Sequence, residues 1–80
     1  MTPKTIIATI PARTIKLSSG SRKVPARIET LTMDDIGQWS IDFAGAAERI
    51  TEAEAIDVLR KSIEWTAIRI EHFPMLGFHN

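Results

Sequence analysis

The sequence has no cysteine, no excess of charge of either sign and no long apolar run. Without cysteine, the chain can form neither a disulfide framework nor a thiolate metal site. Ten basic residues balance ten acidic ones, which excludes a uniformly basic nucleic-acid coat and a polyanion that imitates DNA. No segment approaches the roughly 20 apolar residues that span a bilayer. The glycines are isolated, so there is no glycine-rich phosphate loop.

The remaining composition is that of a small globular protein. Of the 80 residues, 44% are hydrophobic and 25% are charged, which is an ordinary globular mixture. Because no repeat or linker divides the chain, we expect one domain spanning residues 1–80. We find no targeting signal and expect a cytoplasmic protein.

Three alternating segments predict an antiparallel meander in the first half of the chain. Its strands are expected at about 5–17, 22–32 and 37–44. The apolar positions of the first strand shift by one residue after Pro11, which predicts a bulge or bend there and a place at a sheet edge. Residues 44–49 are expected to be a connection.

A helix is predicted from residue 52, because Thr51 and Glu54 have the spacing of a capping box. Its end has two interpretations. An apolar stripe without a helix breaker before Pro74 favours one long helix to about His72. The alternation of residues 66–73 instead fits a fourth strand. Either way the fold class is α+β: an antiparallel sheet of three or four strands, in the order β-β-β-α or β-β-β-α-β, with one face covered by a single amphipathic helix.

Charge is divided unevenly along the chain. Residues 1–28 contain six basic residues and no acid, whereas residues 29–80 contain ten acids and four basic residues. Such asymmetry indicates an anionic partner, and a β-ribbon that carries arginines can enter a nucleic-acid groove. The predicted partner-binding residues are Arg13, Lys16, Arg22, Lys23 and Arg27. The alternative is that these cations face the chain's own acidic helix or protect a strand edge.

The end of the chain, an apolar tail at residues 73–80, is a second candidate interface. If it is exposed, it forms a patch suited to a partner or a homodimer; otherwise it folds back over the sheet or the helix. The candidate interface residues are Trp65, Met75, Leu76 and Phe78. Trp65 is expected to be exposed on a long helix and buried beside a fourth strand.

Catalysis has little support in the residues. The two histidines, His72 and His79, lie seven apart near the end of the chain and match no metal-ligand or nucleophile–base pattern. We therefore expect no enzyme activity, no cofactor and no metal.

Two functions remain. The one that the sequence favours is a non-enzymatic protein-binding module, a small inhibitor that blocks a surface of a protein or nucleoprotein complex. The other is direct nucleic-acid binding by the basic hairpin. The order of three strands and a helix is similar to the DNA-binding domains of some integrases and plant transcription factors. The small size, the β-rich first half and the capped segment 51–55 resemble small phage-borne inhibitors of the anti-CRISPR type, a resemblance that implies inhibition by occupying a partner surface.

Overall fold

The computed structural model of this chain describes residues 2–43 and 45–76. The elements are β1 (Lys4–Ile10), β2 (Arg13–Leu17), β3 (Gly20–Val24), β4 (Arg27–Met33), β5 (Trp39–Phe43), β6 (Ala46–Ile50), α1 (Glu52–Arg60) and α2 (Trp65–His72). Four strands form an antiparallel sheet in the order β1-β4-β5-β6, and β2 pairs separately with β3. The predicted α+β class with an antiparallel sheet is confirmed. The arrangement differs, because the described residues form six strands in two sheets and two helices.

The predicted strands 5–17 and 22–32 are each divided in two. The β1–β4 ladder ends with Ile10 opposite Arg27, and the β2–β3 ladder begins with Arg13 opposite Val24. Two residues lie between the ladders on each side, so the register continues unchanged. Each pair of connecting residues contains a proline, at 11 and at 25, which cannot donate to a ladder. No residue is inserted on either side, so of the predicted bulge or bend the bulge is wrong, and a matched break lies there instead. The predicted place at a sheet edge is confirmed, because β1 is the first strand of the four-stranded sheet.

The core lies between one face of the four-stranded sheet and the two helices. Alternate side chains of the strands and one stripe of each helix meet there, which is how an amphipathic helix covers a sheet. The buried apolar residues are Ile6, Ala8, Ile10, Leu31, Met33, Trp39, Ala55, Leu59 and Ile68.

The predicted third strand, 37–44, is β5 with a shorter extent, and its predicted alternation places Trp39 in the core. The connection expected at 44–49 is instead mostly the edge strand β6, which pairs with β5. All of β6 is exposed except the half-buried Ile50. Because the strand has no buried face, its sequence does not alternate between apolar and polar residues, and that alternation is the pattern that predicts a strand.

The predicted helix start is confirmed. The Thr51 hydroxyl accepts from the backbone N–H of Glu54 at 3.1 Å, and the Glu54 carboxylate accepts from the backbone N–H of Thr51 at 3.0 Å. Both interpretations of the helix end are wrong. The helix stops at Arg60, and residues 65–72 form a second helix rather than a continuation or a strand.

Hydrogen bonds made by Ser62, Ile63 and Glu64 explain why α1 ends. The buried Ser62 hydroxyl donates to the Leu59 carbonyl at 2.7 Å, a side-chain bond that competes with the helical backbone pattern. The next residues turn to strand β1, where the Ile63 backbone N–H donates to the Thr9 carbonyl at 3.0 Å. The Glu64 carboxylate accepts from the Thr9 backbone N–H at 2.8 Å and from the Thr9 hydroxyl at 2.7 Å. The interhelix loop thus covers the free edge of β1 at Thr9.

Candidate functional site

The β2–β3 hairpin projects from the helix-covered sheet. Its strands pair only with each other, and every residue of both is exposed except Ile15 and Val24, which are half-buried. The chain has a radius of gyration of 13.9 Å and extents of 45 × 33 × 18 Å. A compact domain of this length would have a radius of gyration of about 12 Å. The molecule is therefore elongated.

A tight turn closes the hairpin. Leu17 lies opposite Gly20, so Ser18 and Ser19 form a two-residue loop, the length preferred in hairpins. Gly20 has a φ of +136°, a conformation that residues with a Cβ atom rarely adopt. The glycine therefore has a direct conformational role in ending β2 and starting β3.

Four cations lie on this hairpin without an acidic partner among the described residues. The segment from residue 13 to residue 24 contains Arg13, Lys16, Arg22 and Lys23 and no acid. Among the described residues, the salt bridges join Arg27 to Glu29, Lys61 to Asp57 and His72 to Glu71, and none includes a hairpin cation. The four positive charges are thus brought together on one exposed ribbon and are not neutralised by the described part of the acidic half.

Arg27, the fifth predicted cation, is placed differently. It begins β4 opposite Ile10, on the far side of the proline break, and its Nε donates to the carboxylate of the buried Glu29. A buried carboxylate needs such a partner. The two residues lie two apart on one strand and so on one face, which is a signal visible in the sequence. Arg27 therefore forms a salt bridge within the fold.

The hairpin register divides its side chains between two faces. Arg13 lies opposite Val24 and Ile15 opposite Arg22, on the same face as Leu17. The other face carries Thr14 opposite Lys23 and Lys16 opposite Ser21. Our sequence analysis did not single out the two hydroxyl residues. Counting outward from the turn at Ser18–Ser19 would have placed them beside the lysines.

The acidic half of the chain is accounted for in part by local structure. The Asp34 carboxylate accepts from the backbone N–H groups of Ile36 and Gln38 at 3.0 and 2.8 Å, which is a turn-forming role. Glu54 caps α1, and Asp57 lies 3.6 Å from Lys61 one turn along the same helix. These roles do not require a partner.

The residues of the second candidate interface differ in how far they are exposed. The half-buried Trp65 ring lies 6.2 Å from the Phe73 ring, and the Arg60 guanidinium lies 6.0 Å from the Trp65 ring centre. Met75 is almost fully exposed, while the half-buried Leu76 accepts a bond from Arg69 through its carbonyl. Phe78 and His79 lie outside the described residues.

Glu64 is the one described group whose titration is clearly perturbed. The Thr9 hydroxyl and the Thr9 backbone N–H both donate to it and hold the pKa of the Glu64 carboxyl below its ordinary value of 4.5, although partial desolvation opposes them. Because the carboxylate is bonded to a strand edge, this shift indicates a structural role.

Residues 2–43 and 45–76 contain no group of three or more histidine and acidic side chains arranged to hold a metal ion. Within the same ranges, no helix is long and apolar enough to cross a bilayer. Comparison with known proteins adds no assignment: no family model, curated protein or solved structure matches this chain.

Proposed function

We propose that this chain is a non-enzymatic nucleic-acid-binding protein that uses the β2–β3 hairpin as its contact surface. The observation that carries the proposal is a projecting ribbon with four cations and no described acidic partner. Exposed like charges on neighbouring strands repel one another, so gathering the four charged groups has an electrostatic cost in the free protein. A polyanion would make their proximity favourable by releasing counterions.

The balanced net charge is compatible with this function, because the attraction is local. At physiological ionic strength, charge is screened over about 8 Å. A phosphate at the hairpin therefore responds to the hairpin cations much more than to acids beyond that range. Arginine forks can hold phosphate oxygens through two bonds, and lysines act as mobile point charges.

A second candidate is an inhibitor that occupies a protein surface, and one feature favours it. Ile7 and Ile28 lie on the sheet face away from the helices, on neighbouring strands, and are 62% and 69% exposed. The alternation that exposes them continues to Arg13 and Arg22 on the hairpin. Such a stripe would bind a protein that has an apolar spot bordered by acidic side chains. By covering that spot, the chain would act as an inhibitor of the anti-CRISPR type.

The test compares two variants that each lose one arginine and one lysine. R22Q/K23Q changes the hairpin, and K4Q/R49Q changes cations of the four-stranded sheet. Binding of duplex and single-stranded DNA is measured at ~50 mM and ~200 mM salt, where a protein that contacts several phosphates loses orders of magnitude in affinity. We expect R22Q/K23Q to reduce the slope of log affinity against log salt by about 1 to 2, since each phosphate contact contributes about 1, and K4Q/R49Q to leave it unchanged.

Two results would contradict the proposal. One is absence of binding to either DNA form at the lower salt, which would leave the protein-surface candidate. The other is an equal loss in the two variants, which would mean that the charge of the whole chain, and not the hairpin, determines binding.

A further inference from the structure

The face of the hairpin that carries Thr14, Lys16, Ser21 and Lys23 has no part in the apolar packing of the protein. All four residues are exposed, and no apolar side chain lies among them. They continue the alternation that points Ile10 into the core from β1. Beyond the proline break, the positions that carry core residues in the sheet are therefore polar or basic.

The opposite face of the hairpin has a folding role. Each arginine lies directly across from a β-branched apolar residue, Arg13 from Val24 and Arg22 from Ile15. Such cross-strand neighbours are close enough for an arginine stem to cover the apolar side chain, and Ile15 and Val24 are the half-buried residues of the ribbon. Packing accounts for this face, but it does not account for the two lysines.

The chemistry of the lysine face suits the edges of bases. The two hydroxyls can donate or accept, and the two ammonium groups can only donate. In the major groove, guanine presents two acceptors, O6 and N7, which lysine recognises, whereas serine and threonine can pair with any base. Diagonal neighbours on a strand pair lie about 7–8 Å apart, so Lys16 and Lys23 can address different base pairs.

The dimensions of the hairpin fit the major groove of B-form DNA. Strands lie about 4.8 Å apart and rise about 3.4 Å per residue, so two five-residue strands make a ribbon about 17 Å long. The groove is about 12 Å wide and 8.5 Å deep and admits a two-stranded β-ribbon. The major groove of duplex RNA is too deep and narrow for side chains to read.

We infer that the hairpin enters the major groove of duplex DNA with Thr14, Lys16, Ser21 and Lys23 toward the base edges, and that it prefers sites containing guanine. Arg13 and Arg22 contact phosphates at the rim of the groove. This inference rests on the proposed nucleic-acid binding and adds a reading face, a groove and a base preference.

The test begins with a randomised duplex DNA pool, from which the bound fraction is recovered and sequenced. We expect guanine-containing sites to be enriched. In an enriched site, replacing guanine by an analogue that has carbon in place of N7 should weaken wild-type binding by at most about 5- to 150-fold, the range for a contact to both guanine acceptors. Duplex RNA of the same sequence should bind more weakly than the DNA.

Three variants separate base reading from phosphate contact. K16Q/K23Q should lose the response to the guanine analogue, whereas R13Q/R22Q, which removes the same charge, should bind more weakly but keep that response. T14A/S21A leaves the charge intact, so it should weaken the base preference without changing the salt slope. Because the lysine face has no packing role, K16Q/K23Q should have the unfolding midpoint of the wild type.

The possible failures are distinguishable. If the pool is bound but no guanine-containing site is enriched, or if K16Q/K23Q keeps the response to the analogue, the reading face is wrong and the proposed function survives. If nothing in the duplex pool is bound at ~50 mM salt, the reading face is wrong, and the proposed function is wrong as well if single-stranded DNA is not bound either.

Discussion

The helix-covered sheet and the basic hairpin keep the same strand register across the proline break, but they differ in burial, charge and packing. Strand β1 places Ile6, Ala8 and Ile10 in the core, and the next described positions of the same alternation on β2 are Thr14 and Lys16. Within residues 2–43 and 45–76, the buried core contains residues of both helices but none of the hairpin. An isolated two-stranded hairpin is marginally stable in water, so the sheet must support the ribbon from its base. Stability thus comes from one region, and the proposed contact surface lies in the other.

The largest expected effect comes from truncating the helix that covers the sheet. Leu59 is fully buried on α1, so L59A should lower the free energy of unfolding by about 2–5 kcal/mol. A chain of 80 residues has only about 4–12 kcal/mol in total. The matched change L17A, at the half-exposed tip of the hairpin, should stay within about 0.5 kcal/mol. Urea unfolding curves measure both, and equal losses would remove the distinction between the regions.

What could be predicted from the sequence was mainly local. The Thr51 capping box depends on residues within four positions and has the expected role. Strand β5 was recognised because one of its faces is buried. The end of α1 could not be predicted, since the loop after it bonds to Thr9 on a strand 55 positions earlier in the chain.

The candidate site shows the same division. Clustering of cations on the predicted hairpin follows from residue order alone. Its projection depends on the separate pairing of β2 with β3, whereas the contact of Arg27 with Glu29 follows from their spacing of two residues on one strand. The separation into a lysine face and an arginine face follows from the register, which the two prolines leave intact. Predicting the two faces therefore requires knowing which residues of β2 and β3 lie opposite each other, and not only that the two strands exist.

The bond between Glu64 and Thr9, at the edge of the sheet, predicts that the free energy of unfolding depends on pH. The pKa of Glu64 is depressed in the folded state, so its stabilising effect is complete above the unfolded value of 4.5 and is lost as the pH falls through the lower folded value. E64Q should therefore unfold at lower urea than wild type at about pH 7, and the difference should narrow below that window. A difference that does not change with pH would show that the ionised carboxylate is not responsible.

The smallest expected change in global stability comes from replacing glycine by alanine. This substitution can be made in both regions, so it compares them directly. Gly20 closes the hairpin with a φ of +136°, Gly45 precedes β6 with a φ of +84°, and a Cβ at either would meet no described atom within 4 Å. The cost of alanine is therefore backbone strain in both. In the sheet, G45A should lower the free energy of unfolding by about 1–2 kcal/mol.

In the hairpin, G20A should leave the global unfolding midpoint unchanged, because local opening of an exposed ribbon requires less than global unfolding. Its effect should appear as faster hydrogen exchange at the β2 and β3 amides and as weaker binding of duplex DNA. If G20A instead lowers the global midpoint as much as G45A does, the hairpin unfolds together with the sheet. The proposed contact surface would then contribute to the stability of the whole fold, and variants in it would have to be compared at matched folded fractions before any loss of binding could be assigned to contact.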